Sequence, residues 1–196
     1  MSKRAVTEAD ILARADYAPV RAEQRRKISA LKKNRRVEVG PHVTFYFENF
    51  ETMRHQIQEM LWIENGGAEQ LPDELAAYNP LIPQGNELVA TFMIEIDDPI
   101  RRKNVLARLG GIEDTAFFRV GDEDVPALPE ADQDRTTADG KASSVQFVHF
   151  PFTAAQVAKF RAGGSQVILG LNHPNYGHMA VLNEAVRAEL AGDFAK

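Results

Sequence analysis

The sequence predicts an α+β fold: a mostly antiparallel sheet packed on an amphipathic central helix, with basic helices at the N-terminal side. Three observations lead there. Val43 to Glu48 and Glu87 to Asp97 both alternate apolar and polar residues with the two-residue period of a half-buried strand. Between them, Phe50 to Ile63 repeats its apolar residues at a helical spacing. Strand candidates outnumber what a helix bundle needs, and the loops are too irregular for alternating βαβ units.

Thr7-Glu8-Ala9-Asp10 has the spacing of a capping box, with Asp10 in place of the usual Glu, and starts a short helix to about Arg14. A second helix is expected to begin with Pro19 at its first position and run to about Asn34, because proline lacks only an N–H that is unpaired there anyway. Its apolar stripe, Val20, Ile28 and Leu31, is narrow, so it belongs on the surface. In the first strand Val43, Phe45 and Phe47 share a face, and Gly40-Pro41 should bend its start. Around the central helix Phe50, Met53, Ile57, Met60 and Leu61 fall on one arc, with Glu51, His55, Glu59 and Trp62 opposite. Asn65-Gly66-Gly67 ends that helix, and a short one over Leu71 to Tyr78 stops before Asn79-Pro80. Leu88, Ala90, Phe92, Ile94 and Ile96 form one face of the next strand. Further on, the sequence suggests a short helix over Pro99 to Leu109 and a strand over Ala116 to Gly121. A long hairpin connection over Asp122 to Lys141 leads to strands at Ser144 to Phe150 and Gln166 to Asn172, with a Thr153-capped helix between them. Gly177 to Leu182 and Glu184 to Ala191 read as a last strand and helix. A strand, an amphipathic helix and then several strands is the element order of a hot-dog-like layout, in which a sheet wraps a helix.

With 196 residues, 44% of them hydrophobic and 26% charged, the chain has a globular composition and enough length for its own core. No apolar run approaches the roughly 18 residues of a membrane helix, and no apolar stretch follows the basic start as in a secretory leader, so a cytoplasmic location is expected. Cysteine is absent, which removes disulfides, thiolate zinc sites, cysteine-ligated iron–sulfur clusters and cysteine nucleophiles. Residues 1–36 hold 11 Lys and Arg against 4 Asp and Glu; the remaining 160 hold 12 against 24. The chain is thus read as a basic helical arm, 1–36, ahead of a single acidic α+β domain, 37–196.

Candidate sites follow from these patterns. Arg25, Arg26, Lys32, Lys33, Arg35 and Arg36 could dock an acidic partner. The segment lacks interleaved aromatics and the body is acidic, which argues against nucleic acid. Glu51, His55 and Glu59 form an i, i+4, i+8 column that could hold iron, manganese or zinc if another group such as His42 joined, although a solvated helix face explains the same residues. His149, His173 and His178 are a second candidate metal set, with Pro174-Asn175-Tyr176-Gly177 between the last two also readable as a plain turn. Glu64 falls at an angle within the apolar arc, where a carboxylate would need a partner. Tyr78 and Asn79 sit where a rigid loop could line a pocket. No phosphate-binding glycine loop, GxSxG, HExxH or EF-hand pattern occurs.

The basic segment, FENFETMRHQIQEML, ELAAYNPLIP, ELVATFMIEI, ARLGGIEDTAFFRVGD and LNHPNYGH, in this order, resemble the DUF3501 family of bacterial proteins over nearly the whole chain. The family brings no assigned activity and no catalytic residues. Its members tend to be encoded beside rubrerythrin-like and iron–sulfur oxidoreductase-like proteins, so the resemblance implies a link to redox or oxidative-stress metabolism. Two functional readings follow. One is an accessory protein that docks an acidic redox partner; the other is a His/carboxylate metalloprotein with redox or hydrolytic activity.

Overall fold

The two alternating segments pair with each other. In the computed structural model, which describes residues 3–130, 136–137 and 140–195, β2 (Val43–Glu48) lies antiparallel to β3 (Glu87–Ile94) with Phe45 opposite Phe92. Their apolar faces therefore meet across the ladder. β1 (Arg36–Val39) pairs with the other edge of β2. Gly40 adopts φ 71°, a left-handed conformation that costs glycine little. Gly40-Pro41 thus reverses the chain between two strands, where a bend at the start of one was expected.

β7 (Val145–Pro151) extends the sheet beyond β3 and carries the short β6 (Leu128–Pro129), giving the order β1-β2-β3-β7-β6. A second sheet runs from β5 (Glu123–Pro126) through β4 (Ala116–Val120) and β8 (Val167–His173) to β9 (Tyr176–Val181). Every strand pairing among the described residues is antiparallel. The connection over Asp122 to Lys141 is more than a hairpin loop: β5 pairs with β4 in the second sheet and β6 with β7 in the first. Residues 131–135 and 138–139 of it lie outside the described residues.

The main core lies between the sheets. Phe118 sits 4.8 Å from Phe150 and 5.6 Å from Phe47 by ring centroid, and Phe45 lies 4.9 Å from Phe92. Burying each such ring contributes about 1.5–3 kcal/mol. Leu88, Ala90, Phe92, Ile94 and Ile96 all belong to this core. α5 (Ala154–Ala162) adds Phe160, and α6 (Glu184–Ala191) adds Val186 and Leu190.

α2 (Phe50–Ile63) starts at Asn49, whose side chain accepts from the Thr52 N–H at 3.0 Å. Phe50, Met53, Ile57 and Leu61 are buried as the arc predicts, and Met60 is half-buried. The helix covers the outer face of the first sheet, where Val6, Leu81, Ile82 and Val89 complete a smaller core. A sheet wrapped around this helix is therefore not what forms. The Phe-rich strand faces are large enough to fill the space against another sheet, and the opposite face offers an apolar patch that one helix suffices to cover.

α1 (Arg14–Lys32) begins earlier than its proline suggests, with Pro19 inside the helix. The ring removes one hydrogen bond to the Ala15 carbonyl, but Ala15 is exposed and water is at hand. The upstream turn is held because Tyr17 is buried beneath it. Ahead of it, Thr7 and Asp10 close a single 3-10 turn over Glu8–Asp10 in place of the expected helix, the Thr7 hydroxyl donating to Asp10 at 2.8 Å. α3 (Leu71–Tyr78) and α4 (Pro99–Leu106), capped by Asp98, lie near their expected bounds.

Both ends of the described chain are tied to one loop. The Arg4 guanidinium donates to the Pro83 carbonyl at 2.7 Å and the Asp193 carbonyl at 2.8 Å, and the Ala195 N–H donates to Gly85 at 2.7 Å. Among the described residues no helix is long and apolar enough to cross a membrane.

Candidate functional site

The face of α2 opposite the apolar arc is where α1 docks. Glu59 accepts Arg21 Nε at 2.9 Å, Arg21 Nη2 at 2.8 Å and the Tyr17 hydroxyl at 2.7 Å. Arg21 holds the Glu59 carboxyl below the ordinary range, and burial together with Glu59 pushes the Tyr17 hydroxyl well up. The Glu51, His55, Glu59 column is thereby divided. Glu51 accepts from Arg54 at 2.9 Å, Glu59 is taken by α1, and His55 is left half-buried between them.

Beyond this contact α1, the outer face of β1 and β2, and α2 enclose an open groove of about 680 Å³. Arg25, Lys32, Lys33, Arg36, Tyr46 and His55 line it. Its carboxylate, Glu38, is already paired with Arg36. Among the described residues, Arg25, Arg26, Lys32 and Lys33 have no ion-pair partner. His55 is pushed toward its neutral form by burial first, and by Lys32, Arg54 and Arg25 against the opposing pull of Glu59. Tyr46 donates to Glu95 at 2.8 Å, and its hydroxyl is raised chiefly by burial. Guanidinium and ammonium groups without internal partners suit this groove to anions.

Arg35 is not part of that face. It is 1% exposed, paired with Asp193 and with Glu189 at 3.1 Å, and donates to the Phe47 and Glu48 carbonyls at 3.1 Å each. Of the six basic residues marked for docking, five remain outward-facing or half-buried and one is a structural anchor.

The histidines do not assemble. His149 stands on β7 of the first sheet, with Nδ1 3.0 Å from Glu87 and Nε2 2.7 Å from Glu130. Burial pushes the imidazole down, but the two carboxylates more than offset it and its pKa lies above the ordinary value. Burial likewise works against Glu87, yet His149 and the Gln84 N–H hold that carboxyl below its usual range. His173 and His178 stand on β8 and β9 of the second sheet. His173 Nδ1 accepts from the Asn175 N–H at 3.2 Å and Nε2 faces the Gly110 carbonyl at 3.3 Å, partners that suit the neutral Nε2–H tautomer. Among the described residues no three His, Asp or Glu side chains are grouped so as to hold a metal ion. Even Glu87 and Glu130 approach opposite nitrogens of one ring, so their donors do not converge on a point.

The remaining candidates are struts. Glu64 is an exposed C-cap accepting from Gln70 at 2.6 Å, because the helix ends before the apolar arc reaches it. Asn79 bonds both the N–H and the carbonyl of Val6, at 2.7 and 3.0 Å, and Tyr78 packs against the smaller core. Sequence reasoning missed the Glu87–His149–Glu130 cluster. Alternation does put Glu87 on the face opposite Leu88 and Ala90, but only the pairing of β3 with β7 brings His149 to it.

A family model described as a protein of unknown function, DUF3501, matches residues 5–194. A crystal structure titled as a novel protein of unknown function from Burkholderia pseudomallei is 39% identical, covering 97% of this chain and 99% of that one, with a TM-score of 0.90. No curated protein matches the chain.

Proposed function

The chain belongs to the DUF3501 family of proteins of unknown function, and from that premise we propose that it is a non-catalytic binding protein that docks an acidic protein surface in the groove between α1 and β1–β2. One observation carries this reading: Arg25, Lys32 and Lys33 gather at one groove without a carboxylate partner among the described residues, in a chain whose net charge is -5. Acids are plentiful in the body, so leaving these cations unpaired keeps them open to a partner. The partner class implied by the family resemblance is a rubrerythrin-like or iron–sulfur oxidoreductase-like protein with an acidic face.

Exposed charges contribute only about 0.2–1 kcal/mol each, so docking needs several together and weakens with salt. The test is fluorescence anisotropy with a labelled oligo-glutamate peptide, using wild type and the triple variant R25E/K32E/K33E. Wild type is expected to bind at low salt and the variant to lose at least about tenfold in affinity. Binding left intact by charge reversal would sink the reading. Elemental analysis of the same protein, prepared without chelators, is a second arm. About one iron, manganese or zinc per chain, lost on histidine substitution, would overturn it in favour of a metalloprotein.

A further inference from the structure

A second cationic site lies where the β1–β2 turn, the end of α4 and the β8–β9 hairpin meet around a pocket of about 250 Å³. Its frame is rigidly built. The buried Tyr176 hydroxyl donates to the Val39 carbonyl at 2.8 Å and accepts from the His42 and Val43 N–H groups at 2.9 and 3.1 Å. Asn175 Nδ2 donates to the Arg108 carbonyl at 2.9 Å, fixing the hairpin to the residues that follow α4. The turn itself is shaped to admit the histidine. A Cβ on Gly40 would sit 2.5 Å from His178 Cγ and 2.8 Å from the Tyr176 oxygen.

What this frame leaves over are nitrogen groups. Among the described residues the Arg108 guanidinium has no hydrogen-bond or ion-pair partner. The His178 ring packs against Gly40 and the Tyr176 ring, the latter at 4.5 Å between centroids, and makes no hydrogen bond among those residues. His42 Nε2 lies 3.4 Å from Arg101 Nη2, a long contact that sets a second cation beside one of the lining rings. Among the described residues no carboxylate lines the pocket.

We propose that this pocket binds a phosphoryl group, as inorganic phosphate or as a small phosphomonoester. Donors from three separate segments surround it, which suits an anion with three oxygens better than a flat carboxylate. The volume falls below the roughly 300 Å³ at which drug-sized pockets begin. Val105 and Leu109 give it one aliphatic wall, against which an ester's organic part could rest.

NMR of the histidine ring Cε1–H signals tests this, because the five histidines are His42, His55, His149, His173 and His178 and each can be assigned by a His→Gln variant. The probes are inorganic phosphate, phenyl phosphate and acetate. Phosphate or phenyl phosphate should shift His42 and His178 saturably, and Arg108→Gln, at an exposed position, should weaken that response about tenfold or more with the backbone spectrum unchanged. Tighter binding of phenyl phosphate assigns the site to an ester; equal binding assigns it to the free ion. A response at His55 that survives Arg108→Gln belongs to the basic groove and separates the two sites. Non-saturating shifts, an unchanged response in Arg108→Gln and His178→Gln, or acetate acting as well as phosphate would each overturn the proposal.

Discussion

Arg35 and Arg36 are neighbours in the chain and opposites in the fold. Arg35 is 1% exposed and gives its donors to Asp193, Glu189 and two backbone carbonyls, whereas the Arg36 side chain is 52% exposed at the edge of the groove. The same split runs through the whole basic segment: Arg21 locks α1 onto Glu59, while Arg25, Lys32 and Lys33 are left to solvent or a partner. Charge count alone therefore overstates what a partner meets. A cation already holding the fold together contributes to stability and not to recognition, and only burial distinguishes the two.

The sharpest way to break this contrast is Arg35→Leu. It leaves Asp193 buried without its cation, and the expected loss is about 3–5 kcal/mol, seen as a lower urea midpoint at an unchanged slope. A loss below about 1 kcal/mol would place Arg35 with the surface cations. Glu59→Gln comes next. It removes the charge that receives Arg21 but keeps an acceptor for Tyr17, so about 1–2 kcal/mol is expected in the same assay.

The histidine cluster sharpens the comparison, since its pairing depends on pH. The raised pKa of His149 means that its contribution is complete below the ordinary value of 6.5 and fades as pH rises through the folded-state value. The lowered pKa of Glu87 means that its contribution is complete above 4.5 and fades as pH falls through the folded-state value. His149→Gln should therefore cost most between pH 4.5 and 6.5, and thermal unfolding should show the gap to wild type narrowing as pH rises beyond 6.5 through the folded-state value. A gap that widens with pH would contradict the pairing. Smallest of all, Arg25→Glu with Lys33→Glu should move stability by no more than about 0.5 kcal/mol, while the peptide titration responds strongly.

Much of the fold was legible because it is local. Val43, Phe45 and Phe47, and Leu88 to Ile96, declare their strands by alternation, and Phe50, Met53, Ile57 and Leu61 declare the helix by spacing. The start of α1 was not legible, since Pro19 gives a local signal and Tyr17 overrides it through a contact with a helix 42 residues on. The division of strands into two sheets was hidden for the same reason: β4 finds β8 across some fifty residues, and no period in the sequence reports it. Of the candidate sites, the basic face was visible as composition, but the withdrawal of Arg35 rests on Asp193, 158 residues away. The three histidines looked like a set only along the chain, because the strand of His149 belongs to one sheet and those of His173 and His178 to the other.

The meeting of Arg4, Pro83, Gly85 and Asp193 has a consequence for the order in which the molecule is completed. Arg4 is synthesised ahead of both its acceptors, and one of them lies 189 residues further along. The opening segment, although Val6 can bond Asn79 sooner, cannot be clasped from both sides until residues 193–195 have been synthesised. Deleting those few residues should therefore loosen two places at once: the end that was cut, and the beginning that had been waiting for it.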